Sequence, residues 1–393
     1  MNDEFVITGL GVVSAVGIGV ASFWDAMLKR SSGTRPSSLP FVRIGAPRTA
    51  AIEDIAQHLD DRRFRRAANI SKYALVAVNQ AIADAGIVPA AWKGEEVGVV
   101  VGVTHGAINL TREFHSGFVK DGALGASPAL FSESVLNAPA GNISIALGIK
   151  GAAHTVVGDS GAGLNAVEFG LKIMRNLKLP VCIIAGAEEL DPIVARVYKG
   201  FGLLSSDGIR PFGLPSSGFV PGEGAGAIII ETRAHALSRS ARIYAGIKAL
   251  LSPIWPASPF SKEGLSGLDA DAFVSTGANG TQRDAFEAAL LSGIFSSPDA
   301  KMKKTYLGNI KPLIGESFAA SALMQVVHAA LVLNKGIIPP STIAASAFMP
   351  SVAWATMNEA AEQRPVAQAL VTSAGLKGPA HSILLTAPGD AHA

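Results

Sequence analysis

The segment Gly151-Ala-Ala-His-Thr-Val-Val-Gly-Asp-Ser160-Gly-Ala-Gly163 reads as a short apolar strand, a tight glycine-rich turn and the start of a helix. That layout places Ser160 at a helix N-terminus, where backbone N–H groups and the helix dipole favour negative charge. It is how a fold presents a nucleophile, but a serine hydroxyl needs a neighbouring base to act as one. Asp159 reads most simply as the N-cap of the following helix. His154, on the incoming strand, reads as a packing or capping residue. His105 follows an apolar strand; it either reaches the cleft as a base or lies on a surface loop. The single cysteine, Cys182, stands in the apolar run Leu179-Pro-Val-Cys-Ile-Ile-Ala185 and reads as a small core residue.

The elements that would position Ser160 are legible from periodicity. Phe5–Thr8 reads as a buried strand ended by the turn Gly9-Leu-Gly11, and Val97–Val101, Val181–Ala185 and Ala225–Ile230 as strands covered on both faces. Helical patterns cover Ser71–Ala85, Gly161–Asn176 and Ser317–Leu333. Short buried strands alternating with helices imply an α/β fold with sheets between helical layers. Thr232–Ala241 is polar and follows a strong strand, which places a boundary near residue 240. Beyond it the rhythm repeats: strands near Ile243–Ile247, Tyr306–Ile310, Ala369–Thr372 and Ile383–Thr386, and a helix near Ala285–Leu291. The repeat is one of rhythm, so a duplicated fold is suggested. Lys301–Lys304 reads as a solvated bend and Ala387–Ala393 as a frayed tail.

The 393 residues are 49% hydrophobic and 16% charged, enough for a large core. A net charge of +2 without a Lys/Arg cluster argues against nucleic acid. No apolar run is long enough to span a membrane, the acidic N-terminus is unlike a signal peptide, and one cysteine suits a reducing cytoplasm. No pair of His or Cys has metal-ligand spacing on one element. Gly222, Gly224 and Gly226 precede a strand, so they read as close-contact glycines rather than a nucleotide loop.

Several stretches together resemble the β-ketoacyl synthases of the thiolase superfamily. They are Val6-Ile-Thr-Gly-Leu-Gly-Val-Val-Ser-Ala-Val-Gly17, Arg210-Pro-Phe212 with Gly218-Phe-Val-Pro-Gly-Glu-Gly-Ala-Gly226, and Gly336-Ile-Ile-Pro-Pro340. The resemblance runs from about residue 5 to residue 387. It implies a five-layered αβαβα thiolase-like fold of two duplicated halves, 1–240 carrying Ser160 and 241–393 carrying the other site positions. The family's site holds an acyl-carrying cysteine, two histidines and a lysine. The cysteine position falls on Ser160. The first histidine falls on Asn279, in Gly277-Ala-Asn-Gly-Thr281, followed by the acidic pair Asp284 and Glu287. The second falls on Glu316, in Gly315-Glu316, and the lysine is retained as Lys311. The late gating aromatic falls on Leu376, in Gly375-Leu-Lys-Gly378.

Decarboxylative condensation needs hydrogen-bond donors for enolate charge. Asn279 could donate one bond, but a Glu316 carboxylate only accepts and would repel the enolate. Lys311 reads as a charge partner of Glu316 or Glu287. The resemblance therefore implies a degenerate subunit, a chain-length factor completing a heterodimer with a catalytic β-ketoacyl synthase in polyketide, polyene or fatty-acid-like biosynthesis. Its implied interface is about Thr155–Asn176 and Leu179–Ala185. Its implied partners are that synthase and an acyl carrier protein, with no cofactor beyond the carrier's phosphopantetheine arm. Ile108, Phe131 and Leu136 fall by rough position along a chain-length-limiting tunnel. The alternative is a Ser160-dependent acyltransferase or thioesterase on the same fold, with Glu316, His105 or the Asn279 pocket supplying the base.

Overall fold

The computed structural model describes residues 4–37, 48–59, 61–89, 92, 94–251, 271–295, 304–343, 350, 355–376 and 380–389. Lys301–Lys303, Ala391–Ala393 with Asp390, and Lys377–Gly378 lie outside these, so the bend, most of the tail and part of the late loop read from sequence are not described. The main strands are β1 (Phe5–Ser14), β2 (Val97–Val103), β3 (Ala153–Val157), β4 (Val181–Glu188), β5 (Gly224–Thr232), β6 (Ala245–Leu251), β7 (Ala272–Ser275), β8 (Thr305–Gly308), β9 (Gln368–Ala374) and β10 (Ala380–Thr386). The helices are α1 (Val20–Lys29), α2 (Asn69–Ala85), α3 (Ile108–Asp121), α4 (Pro128–Ser134), α5 (Ala138–Leu147), α6 (Ala162–Leu177), α7 (Pro192–Gly200), α8 (Arg233–Ser238), α9 (Asp284–Phe295), α10 (Lys311–Ile314) and α11 (Ala319–Lys335).

The strands run in the order β8-β7-β9-β10-β6-β1-β5-β4-β2-β3. Each five-strand leaf has the same plan. The first strand pairs antiparallel with the fifth, the fifth antiparallel with the fourth, and the fourth, second and third run parallel. The leaves meet where β1 pairs with β6, Val6 opposite Gly246. Alternating side chains sort the layers. Val99, Val101, Ile183 and Ile229 pack with α2. Val100, Cys182, Ile184 and Ile228 join α6 and α11, as do Phe273, Val371 and Leu385 from the second leaf. Val274, Leu370 and Leu384 pack with Ala288 and Leu291 of α9. The result is α2, leaf, α6 with α11, leaf, α9: the five layers expected from sequence. α11 is buried around its whole circumference, every residue from Ala319 to Leu333, and all but Ser321, Gln325 and His328 of these are apolar.

Two expectations need correction. Gly9-Leu-Gly11 is not a turn, because β1 runs on to Ser14. The glycines are there for α2: a Cβ on Gly11 would lie 1.9 Å from the Ala77 carbonyl oxygen. The polar stretch after β5 holds α8, whose first turn is capped by the Thr232 hydroxyl accepting from His235 N at 3.3 Å. Of the implied interface Leu179–Ala185, residues Val181–Ala185 lie in the sheet interior. β4 is paired on both sides and fully buried, whereas β3 is the partly exposed edge strand, paired only with β2 among the described residues.

His328, on α11, is 3% exposed and sits among Phe23, Trp24 and Phe273. Neither ring nitrogen has a hydrogen-bond partner among the described residues. Burial pushes its pKa down to about 3. Between about pH 6.5 and that value the unfolded chain takes up a proton that the folded chain refuses. We therefore expect this residue alone to lower stability by about 1.4 kcal/mol per pH unit below about 6.5. His328→Leu should flatten that slope in denaturant titrations at pH 5 and pH 7. An unchanged difference between the two pH values would contradict the assignment.

Candidate active site

Ser160 follows β3 through Gly158-Asp159 and precedes α6, as the sequence indicated, but it is 1% exposed rather than presented at an open surface. Its Oγ has no hydrogen-bond partner among the described residues. Its carbonyl accepts from Ser373 Oγ at 2.7 Å. Asp159 is not the N-cap. Its Oδ1 accepts from Gly161 N at 3.0 Å in a local turn, and Gly161 itself stands at the cap without a side-chain bond. Thr104 Oγ1 ties this turn to α11, donating to the Asp159 carbonyl and accepting from Ala319 N, each at 3.4 Å.

Asn279, Lys311 and Glu316 come together in one bonded cluster. Lys311 and Glu316 are 0% exposed, and Lys311 Nζ lies 2.7 Å from Glu316 Oε2. Asn279 Nδ2 donates to the same oxygen at 3.0 Å, and Phe318 N donates to Oε1 at 2.8 Å. Both carboxylate oxygens are thus engaged. Asn279 Oδ1 accepts from the hydroxyl of Thr281 at 2.8 Å, and Lys311 Nζ also donates to the Gly277 carbonyl. Of the two carboxylates open to Lys311 by sequence, Glu316 is the direct partner. Glu287 Oε1 instead accepts from Gly277 N and the Thr372 hydroxyl.

The backbone holds these groups tightly. Gly315 has φ +74°, and a Cβ there would meet Ala50 Cβ at 2.8 Å. Glu316 is pinned on both sides, donating to Val220 O at 2.7 Å and accepting from Gly222 N at 2.8 Å. The Asn279 loop hangs on Asp284, whose carboxylate accepts from Asn279 N, Gly280 N and Phe212 N at 2.8–2.9 Å. Burial raises the Asp284 pKa against the pull of those three bonds, and pushes Glu287 up to about 7. Asn309 completes the support, its amide donating to Thr276 and Ala278 carbonyls and its Oδ1 accepting from Lys311 N.

Phe318 was not singled out by sequence. It has φ +48°, costly for a bulky side chain, and its ring stacks on Tyr198 with centroids 5.4 Å apart. His105 and Phe219 meet it edge-on. A cleft of about 830 Å³ lies against Phe318 and is lined also by Asp159, Tyr198, Thr281, Arg283 and Leu376. The available signal was an aromatic ring inside a run of small residues after Gly315-Glu316. His105 is no surface histidine: its Nε2 lies 2.9 Å from the Tyr198 hydroxyl, and its ring packs on Phe318. His154 packs on Phe169. Ile108, Phe131 and Leu136 do not line the cleft. Phe131 and Leu136 are exposed, and Ile108 borders a separate open pocket beside α3.

A buried ion pair is costly to break and cheap to replace. Glu316→Leu should cost about 3–5 kcal/mol by stranding the Lys311 ammonium, and the double variant Glu316→Leu/Lys311→Met should recover most of it. Urea unfolding of the three proteins checks this. A double variant as unstable as the sum of its singles would contradict it.

The chain matches the family models described as "Beta-ketoacyl synthase, N-terminal domain" over residues 2–236 and "Beta-ketoacyl synthase, C-terminal domain" over residues 265–344. It is 27% identical to "Putative polyketide beta-ketoacyl synthase 1" of Streptomyces cyaneus across 99% of each chain. It is 32% identical over 260 residues to 3-oxoacyl-[acyl-carrier-protein] synthase 2 of Staphylococcus aureus (strain COL), covering 63% of this chain and 62% of that one. The solved structure described as "The ishigamide ketosynthase/chain length factor" superposes with a TM-score of 0.89 at 22% identity, covering 99% of this chain and 100% of that one. With its thiolase-like layers and both halves matched, the chain belongs to the β-ketoacyl synthase family.

Proposed function

We propose that this chain is a ketosynthase-like subunit that forms no carbon–carbon bond by itself. It acts as a chain-length factor beside a catalytic β-ketoacyl synthase, in polyketide, polyene or fatty-acid-like assembly. The observation that carries this reading is the Glu316 cluster. Enolate stabilisation needs donors aimed at open space. Here Asn279 donates to Glu316, Lys311 donates to Glu316 and Gly277, and the second imidazole position is a carboxylate. Each missing donor costs about 3 kcal/mol, or about 10²-fold in rate.

The likeness of fold to the ishigamide ketosynthase/chain length factor supports pairing with a catalytic synthase. A second neighbour, an acyl-carrier protein in complex with its ketosynthase, supports a carrier protein as the other partner. The growing chain would then arrive on the carrier's phosphopantetheine arm. In this reading the halves 1–240 and 241–393 share one site, Ser160 from the first and Asn279, Lys311 and Glu316 from the second. The edge strand β3, with Ala153, His154 and Val157 exposed, offers unpaired backbone for joining sheets across a dimer. A reducing cytoplasm suits the one buried cysteine.

A Ser160-dependent acyltransferase or thioesterase would need a base at Ser160 Oγ. Glu316 has both oxygens committed, His105 is bonded to Tyr198, and Oγ has no partner among the described residues. No observation favours that reading.

With a Cys-His-His synthase and carrier protein reconstituted alongside, Ser160→Ala should leave product yield and length unchanged. Intact-mass spectrometry should find no acyl adduct on Ser160 in the parent protein. Collapse of yield with the pair still co-eluting, or an adduct on Ser160, would overturn the proposal.

A further inference from the structure

Residues 108–137 stand apart from the rest of the chain, because not one of them is buried. They hold α3 and α4, whose rings meet each other: Phe114 lies over Phe131 with centroids 5.7 Å apart. The turn after α3 folds back as closely, since a Cβ on Gly125 would lie 2.1 Å from the Gly117 carbonyl oxygen. Toward the body, Leu110 packs against the α2 cluster and is itself only partly buried.

The other ties to the body are polar, at three points. Asn109 N and Nδ2 each donate to Glu189 Oε1 at 3.1 Å, and Nδ2 also donates to the Leu190 carbonyl at 2.9 Å. Glu189 is 5% exposed and is fixed to the body by accepting from Ile70 N at 3.2 Å. Arg112 lies 3.6 Å from Asp191, with its own side chain exposed, so that pair contributes little. Glu133 accepts from Ala68 N at 3.2 Å and from Asn142 Nδ2 at 3.1 Å. Scarce buried apolar contact with a few polar ties is the signature of a segment that opens locally.

Both ends of the segment have a place to bend and a fixed point beyond it. Gly106 has φ +73°, a conformation glycine adopts freely. On its far side the Glu188 carboxylate grips Thr104 N at 3.0 Å and His105 N at 3.2 Å. At the other end Val135 is extended, with φ −76° and ψ 146°, and α5 follows with Ala138, Pro139 and Ala140 buried. A pocket of about 590 Å³ lies along α3, bounded by Ile108, Thr111 and His115 and across from them by Ile193 of α7.

We propose that residues 108–134 form a lid that swings away from the body as one piece, bending at Gly106 and Val135 and latched by the bonds from Asn109 to Glu189 and Leu190. Opening widens the pocket along α3 and leaves His105 in place. The lid holds or fails independently of whether the subunit condenses anything.

Hydrogen exchange of the full chain, read by mass spectrometry, tests this. In the parent protein, peptides from α3 and α4 should exchange at least about tenfold faster than those from α6. The boundary should be sharp, with β2 and α5 as protected as α6. Asn109→Ala removes the side-chain donor to Glu189 and Leu190 without touching a buried side chain. It should speed exchange in α3 and α4 together by about tenfold, the worth of a hydrogen bond to a charged group, and leave α6 and β4 unchanged. Arg112→Ala, at an exposed position that folding tolerates, should speed the same two helices by a smaller factor. Protection of α3 equal to that of α6 in the parent would overturn the proposal. So would an Asn109→Ala protein in which neither helix changes, only one of them changes, or α6 changes with them.

Discussion

The site depends on one ion pair sealed from water. Lys311 and Glu316 are 0% exposed, and a lone charge at either place would cost several kcal/mol. The pair is tolerable because neutral groups bond to both partners: Asn279 and Phe318 N on the carboxylate, Gly277 O on the ammonium. Those bonds also fix the surroundings. The Asn279 loop, the Gly315 turn and the first residue before α11 are each held by a contact to this pair. Phe318 keeps its strained backbone because Glu316 Oε1 anchors its N–H while His105, Tyr198 and Phe219 enclose its ring.

A pocket whose polar groups satisfy one another has little left for a ligand in transition. Electrostatic catalysis works through donors that are pre-aimed and unspent. The residues around Glu316 are pre-aimed, but at each other. That difference separates the scaffold, which the family models recognise, from the chemistry, which has to be argued from bonds.

Much of this architecture was legible in the residues. Runs such as Val97–Val101 have the pattern of strands covered on both faces, and α11 is mostly apolar all round, which suits a place between the leaves. The same rhythm suggested a duplicated fold, and the strand pairing supplies the order. Gly9 and Gly11 misled because a glycine that lets a helix approach a strand looks, in one dimension, like a glycine that turns a chain. Val181–Ala185 reads from its apolar run as a strand covered on both faces, as β4 is, and only the resemblance implied an interface there. At the site, Ser160, Asn279, Lys311 and Glu316 could be singled out from sequence, whereas the bonding of the last three to one another could not. Phe318 and Tyr198 stayed hidden because their importance comes from contacts between α7 and the start of α11, far apart in sequence.

The central claim is that the chain cannot stabilise an enolate unaided. The direct measurement is release of carbon dioxide and formation of β-ketoacyl product when the purified chain alone meets an acyl thioester and malonyl-carrier protein. The account predicts neither above the rate without protein, and full turnover only once a Cys-His-His synthase is added. Extension of the acyl thioester by the isolated chain would contradict it.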